Sequence, residues 1–581
     1  MKYREQIMRV CLLLFVAVPL FAQTASLRTT IRQGAGTTAP YCTPWVDSGS
    51  RTGTAWATTA NYIQVYPDSQ YQTVIAWGGT IQERHWVAMQ PLSAEGKDSV
   101  MRELFDTSGC NIGFLRVSIG CSDFDINEAP ISLNETAGDY AMTKFSLHRD
   151  STRKIPLIKM AQAINPDLRF WGCPWSPPRW MHDNNDFMTG NMKSDAQTLT
   201  AYALYLEKFV TGYQAAGINM EMVCCQNEPT IVDGGYPKCG WTNALELNFY
   251  KNYLVPLFKK DNISARIFLG VFCCGNYADW ITYLMNDPTI AGFVGATSHS
   301  FQAPDWSLKA VTDYPKIPFF QSEAPFGPWP DVGPQNWDRG RDLFNNVADF
   351  MKNKASVYTI WNMVNDETAK SGFNWAQTVG IQVNSTTKKV TYNPWFYAYK
   401  HFAHYVKPGA KVVKFTNVGG YPGIGVAFRN PNGDIIFVME NGTANPYALT
   451  LRVDNRMYKA TLPANSFNTL KIAMGTAVQE KTVQKTLSPA QNSARISNST
   501  LYCTFSTAAD AQEMNLSLSD LQGRTVWTGH RRGSAKPGEQ LAFAIRREQG
   551  GLLSGTYLLT ARMKNTAGII TKFDQKVKAV D

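Results

Sequence analysis

Two short segments of this 581-residue chain place a carboxylate directly behind an apolar run. In the first, Met222, Val223, Cys224 and Cys225 lead into Gln226, Asn227, Glu228 and Pro229; in the second, Phe319 and Phe320 lead into Gln321, Ser322, Glu323 and Ala324. Cleavage of an acetal needs such a pair, one carboxyl to protonate the departing oxygen and one to meet the developing oxocarbenium ion. At about 5 to 5.5 Å apart the second acts as nucleophile and the anomeric configuration is retained. Asn227, next to Glu228, is suited to bond a sugar 2-hydroxyl, a contact that strengthens in the transition state. For either glutamate alone a salt-bridged rim residue is an equal reading, whereas the two together with Asn227 favour catalysis.

The elements that bring them together lie between residues 74 and 365. Apolar runs at 74–77, 113–117, 168–172, 220–225, 267–271, 293–297, 317–321 and 357–363 alternate with amphipathic stretches such as 199–213 and 245–258. Eight alternating β and α units favour a closed parallel barrel, with the chemistry just past the C-terminal ends of the strands. The two glutamates then follow strands four and seven and face each other across the mouth. Arg116, on strand two, is placed either to hold a catalytic carboxylate ionised or to form a structural ion pair.

After about residue 410 the pattern changes to short alternating segments, 424–428, 434–440 and 447–453, with a hairpin turn at 430–433. These read as a β-sandwich, to which 62–66 could add a strand. Residues 473–497 have linker composition. Short β segments return at 514–518, 524–528 and 556–561. The expected organisation is a leader at 1–23, an N-terminal segment at 24–70 contributing to the sandwich, a (β/α)8 barrel at 71–409, the sandwich at 410–472, the linker, and a small all-β module at 498–581.

Composition narrows the function. Hydrophobic residues at 44% and charged residues at 18% supply a large core and exclude global disorder. The formal charge of +10 falls mostly at the ends: residues 1–23 carry +2 and residues 473–581 carry +6. That leaves about +2 on the main body, so a nucleic-acid partner is not expected. Lys2, Arg4 and Arg9, then a short apolar stretch ending near Ala22, read as a secretory signal, with a membrane anchor as the competing reading. Removal of the signal would leave no membrane span and a secreted or cell-surface protein. Of the 11 cysteines, Cys224, Cys225, Cys273 and Cys274 sit in apolar runs and read as inert core thiols. No zinc-type spacing appears, and no metal, cofactor or particular disulfide is expected.

From about residue 71 to 472 the chain resembles glycoside hydrolase family 30, the group of glucosylceramidase-like, β-1,6-glucanase and xylanase enzymes. The resemblance rests on QTVIAWGGT at 72–80, LRVSIGCSDFD at 115–125, CPWSPPRWM at 173–181, QNEP at 226–229, His299, SEA at 322–324, 361–363 and 392–408, in the family's order. It implies a TIM barrel with a side β-sandwich, a retaining mechanism, Glu228 as acid/base and Glu323 as nucleophile. It also implies sugar-binding roles for Asp123, Trp175, Asn227 and Trp375. Asp123 can accept bonds from sugar hydroxyls, or cap a strand end; the indole of Trp175 can stack on a pyranose, or pack in the core. His299, behind strand six, matches an active-site position, with a satisfied structural histidine as the competing reading.

Three departures fall on loops expected to face the substrate. Ser300 and Phe301 replace an aromatic pair, so a tyrosine hydroxyl that would orient the nucleophile is missing and something else must hold Glu323. The loop after strand eight reads Ser371, Gly372, Phe373, Asn374, Trp375, and Glu83, Arg84 and His85 stand in the first-strand loop. The 361–363 and 392–408 segments point to a β-glucoside or β-1,6-glucan, with xylan as runner-up and a non-catalytic polysaccharide-binding barrel as the reading from another class. The C-terminal module, through 521–527 and 553–559, resembles the sorting domains of type IX secretion, which would make the secretion machinery a partner; a carbohydrate-binding β-domain is the alternative.

Overall fold

The computed structural model describes residues 24–33, 42–273, 277–299, 312–327 and 337–474, the side chains of 298 and 299 excepted, and the backbone of the strands between 493 and 579. The leader expected at 1–23, and Cys274, Ser300 and Phe301, lie outside the described residues.

Eight parallel strands close a barrel in chain order: Ala76–Ile81, Phe114–Ile119, Arg169–Pro174, Met220–Val223, Arg266–Leu269, Val294–His299, Phe319–Ala324 and Ala355–Ile360. Closure is by parallel pairing of strand eight with strand one, Tyr358 opposite Trp77. Each strand gives one side chain to a buried interior layer: Ala76, Phe114, Trp171, Met222, Phe268, Ala296, Phe320 and Val357. Large and small residues complement one another, the rings of Trp171 and Phe268 meeting at 4.1 Å. This is a filled core and not a pore. It is the floor on which the site stands.

The strand ends differ from the sequence reading where the site is built. Strand four stops at Val223, two residues earlier than its apolar run suggests, so Glu228 arrives on a loop. Strand seven runs on to Ala324, so Glu323 sits within the strand and not past it. The helix behind strand three, Ala196–Ala215, starts at Asp195, whose side chain accepts from the Thr198 N–H, and buries Leu199, Tyr202, Leu206, Phe209 and Tyr213 at helical spacing. Behind strand four the helix Asn243–Phe249 widens into a π-turn over Tyr250–Leu254 before resuming as Val255–Lys260. Pro256, which cannot donate a backbone hydrogen bond, stands just beyond that turn.

The sandwich is built from ten strands, in the order Val46–Thr52, Thr24–Ile31, Ser466–Ile472, Ile435–Asn441, Gly425–Arg429, Lys411–Val418, Tyr62–Thr73, Tyr447–Val453, Arg456–Leu462 and Thr54–Ala55. Four come from the N-terminal segment, not the one that the sequence suggests. A second core containing Leu27, Val65, Phe437, Leu451, Tyr458 and Leu470 lies inside. Barrel and sandwich share one compact unit. Trp337 and Phe344, on the helix Trp337–Lys352, stack on Phe467 of the sandwich at 4.1 and 5.1 Å.

Residues 477–581 form a separate unit. Its backbone makes two antiparallel sheets, one of Ser493–Ser497, Thr500–Ser506 and Gln540–Arg546, the other of Thr525–Ala535, Ala511–Asp520, Gly555–Lys564 and Ile570–Ala579. Among the described residues no helix is long and apolar enough to cross a membrane.

Candidate active site

The segment leaving strand four is strung between its neighbours. The Asn227 N–H donates to Pro174 O at the end of strand three (2.7 Å), and the Glu228 N–H donates to Val271 O beyond strand five (2.9 Å). Held this way, Glu228 takes a φ of 46°, in the left-handed region that residues with a side chain rarely adopt. Such conformations persist only where surrounding structure enforces them, and they concentrate at functional sites.

The carboxyl of Glu228 is buried and accepts from the Tyr236 hydroxyl at 3.1 Å. Burial, and then the negative charge of Glu323, push it up to about 7, against the opposing hydrogen bonds from Tyr236 and the Cys273 thiol. It is therefore a carboxyl that can carry a proton at neutral pH. Burial also raises the Tyr236 phenol, so Tyr236 remains a donor.

Glu323 is held differently. Arg116, reaching up from strand two, donates through Nη1 to Glu323 Oε2 and through Nη2 to Asn227 Oδ1. Nη2 also lies 3.2 Å from Cys173 Sγ. The guanidinium is fully buried among indoles, 4.3 Å from the centre of Trp175, 5.0 Å from Trp171 and 5.5 Å from Trp361. Gln321 donates to the Glu323 carbonyl. Arg116 thus supplies a restraint on Glu323 of the kind the sequence left open, and one rigid fork fixes nucleophile candidate and Asn227 together.

Both glutamates line one cavity of about 220 Å³, with Asp123, Asn227, Trp175, Trp361 and Trp375 in its walls. Asp123 Oδ1 is buried and, among the described residues, has no hydrogen-bond partner. Burial, followed by the charges of Glu323 and Glu228, raises its carboxyl well above the usual range. Asp123 is therefore equipped to donate as well as accept, where the sequence suggested an acceptor alone. Asn227 accepts from Arg116 through its side-chain oxygen, so what it can offer a ligand is its amide N–H groups.

The structure places the other expected site residues as follows. Trp175 is only 2% exposed and stacks on Trp361 at 5.0 Å, so it closes the wall and offers no open platform. The half-buried Trp375, edge-on to Phe124 at 4.7 Å, is the more available ring. Arg116 is not among the residues that line the cavity; it reaches Glu323 and Asn227, which do, in keeping with the expected pairing to a catalytic carboxylate. His299 ends strand six, but its side chain is outside the described residues.

Glu83, Arg84 and His85 do not form a substrate loop. Strand one passes directly into the helix Glu83–Met89, in which Glu83 and His85 are buried. Glu83 pairs with Arg149 at 2.6 Å, and His85 Nε2 accepts from the Met363 N–H at 3.2 Å. Cys224 and Cys225 are core thiols, but Cys273 lines the cavity. Tyr236, Cys273, Trp361, Pro325 and Gln377 also line the site and were not singled out for it from sequence. Of these, Trp361 lies in the 361–363 segment that carries the resemblance, and Cys273 was read as a core thiol; the other three carried no signal. Among the described residues no group of His, Cys, Asp or Glu side chains could hold a metal ion.

A barrel whose mouth holds one proton-retaining carboxyl and one arginine-paired carboxylate is the constellation of a glycoside hydrolase. The chain belongs to glycosyl hydrolase family 30: the family's TIM-barrel domain matches residues 74–406 and its beta-sandwich domain residues 409–470. It is similar to the lysosomal acid glucosylceramidase of Mus musculus, 26% identical over 423 residues, 69% of this chain and 80% of the relative. It is similar also to an endo-1,6-beta-D-glucanase of Trichoderma harzianum, 24% identical over 428 residues, 68% and 84% of the two chains. Its fold matches the solved structure of an endo-beta1,6-glucanase with a TM-score of 0.67 at 20% identity, covering 77% of this chain and 98% of that one.

Proposed function

We propose that the chain hydrolyses β-glucosidic bonds by double displacement, with Glu323 as nucleophile and Glu228 as acid/base. Glu323 attacks the anomeric carbon while Glu228 passes its proton to the departing oxygen. The glycosidic bond breaks, an alcohol leaves, and the sugar remains as an ester of Glu323. Glu228, now a carboxylate, takes a proton from a water whose oxygen attacks the same carbon, which frees the sugar with its configuration retained and restores both groups. The observation that carries this reading is the contrast on one cavity between Glu228, pushed up to about 7, and Glu323, paired with Arg116. Asn227 and Asp123 would bond sugar hydroxyls and Trp375 would offer an apolar face, with His299 at the end of strand six as a further ligand to the sugar.

A β-glucoside or a β-1,6-glucan is the substrate class we favour. Support comes from the similarity to a glucosylceramidase and an endo-1,6-beta-D-glucanase and from the 361–363 and 392–408 segments. Digestion of pustulan, glucuronoxylan and alkyl or aryl β-glucosides tests it. Glucose or gentio-oligosaccharides released first as the β-anomer are expected. Release of xylo-oligosaccharides alone would overturn the glucose assignment, and binding of glycan without turnover would favour a non-catalytic role. We propose further that residues 1–23 direct export and that the 498–581 module is read by the secretion machinery. Retention in the cytoplasm of a chain lacking 1–23, with the full chain outside, is the expected result.

A further inference from the structure

Glu246 is a buried carboxyl that the proposed chemistry does not use. It is 2% exposed, and among the described residues it has no cationic partner. Its bonds come from the Trp280 indole N–H at 2.6 Å, the Tyr250 hydroxyl and the Cys225 thiol. A carboxyl buried without a counter-charge costs stability, so its position asks for a reason.

The reason lies in what Tyr250 does next. Its hydroxyl oxygen accepts from the Cys225 N–H at 2.9 Å, while the Tyr202 hydroxyl donates to Cys225 O at 2.6 Å. Strand four has ended at Val223, so two phenols take over the Cys225 peptide where a neighbouring strand would otherwise bond it. Tyr202 comes from the helix behind strand three, Tyr250 from the helix behind strand four, and Trp280 from the helix Ala278–Met285 behind strand five. Tyr250 opens the π-turn, a feature that inside α-helices gathers at functional sites. Three residues beyond this clamp is Glu228, in its left-handed conformation.

We infer that Glu246 is a positioning residue for the acid/base: through Tyr250 it fixes the Cys225 peptide, and with it the strained turn that aims Glu228 at the glycosidic oxygen. The inference rests on the glycosidase reading above and adds a residue to it. As an acceptor, Glu246 orients the Tyr250 hydroxyl so that its oxygen is left to receive the Cys225 N–H. Burial pushes the Glu246 carboxyl up to about 7, as expected for a group whose charge is held by neutral donors alone.

A displaced acid/base has a kinetic signature that general loosening does not. Proton donation matters for poor leaving groups and hardly at all for activated ones. The test compares the full-length chain with Tyr250→Phe, which removes only the hydroxyl, and Glu246→Gln, whose amide nitrogen cannot accept from a donor. Each is assayed on a methyl or alkyl β-glucoside and on 2,4-dinitrophenyl β-glucoside, with the thermal midpoint as the control for folding. Loss of kcat/KM on the alkyl glucoside by about 10- to 100-fold, with the dinitrophenyl substrate unchanged, is expected for both. The double variant should be no worse than either single one, because the two residues act in one relay. Equal losses on both substrates, or none on either, overturn the inference while the glycosidase reading stands. A wild-type chain inert on every β-glucoside overturns both.

Discussion

Glu228 differs from an ordinary surface glutamate in two ways, a left-handed backbone and a carboxyl pushed up to about 7 by burial and by Glu323. Only the protonated form can act as the acid, so kcat/KM should fall as pH rises through about 7, by about tenfold per unit, and Glu228→Gln should abolish that limb. On poor leaving groups the same variant should lose about 10²- to 10⁴-fold. A pH–rate profile of Glu228→Gln that keeps the wild-type basic limb would contradict the assignment. The glutamates and Asn227 were legible in the sequence because their chemistry is carried by residue type and by their place behind apolar runs. Arg116 was legible as a partner for a carboxylate, but its bond to Asn227 was not. Tyr236 and Cys273 were not legible as site residues, since nothing in a lone tyrosine or cysteine says which cavity it will face.

At the scale of elements, the turn bearing Asp123 is held by a buried charge cluster. Asp125 accepts from Ser118 Oγ, the Ser122 N–H and the Glu83 N–H, each at 2.7 Å. Beneath it the Lys154 ammonium sits 2.8 Å from Asp150 and 3.9 Å from Asp125, with all three side chains inaccessible. Lys154→Met should leave Asp150 without its buried counter-charge and cost about 3 to 5 kcal/mol. Chemical denaturation reads that cost, and a rise in KM would report the loosened Asp123 turn; a variant as stable as the parent would contradict this account of the cluster. The alternation of β and α units showed the barrel, yet the first-strand segment was misread as a loop. Glu83 meets Arg149, 66 positions on, only once the fold brings the two segments together, and such a pairing has no local signature. Strand ends were off for a related reason: apolarity continues past Val223 because the chain stays buried after it leaves the ladder.

At the scale of the molecule, every residue placed in the site belongs to the barrel, and the barrel and sandwich form one compact unit that ends at Thr476. A chain cut there should keep the kcat/KM of the full protein on a small β-glucoside. A large loss would show that residues 477–581 contribute to catalysis. The sandwich was legible from its alternating segments after residue 410, but of the four strands given by the N-terminal segment only Tyr62–Thr73 was, since strands such as Val46–Thr52 are polar and mostly exposed. The barrel brings Glu228 and Glu323, 95 positions apart in the chain, to one cavity, where the proposed chemistry has them meet one anomeric carbon. Trapping with a 2-deoxy-2-fluoro-β-glucosyl fluoride or dinitrophenyl glucoside, followed by peptide mass spectrometry, tests that most directly. The account predicts a single glycosyl ester on Glu323 in a chain that is inactivated with time; a label on any other residue, or turnover that gives the α-anomer with no label, would contradict it.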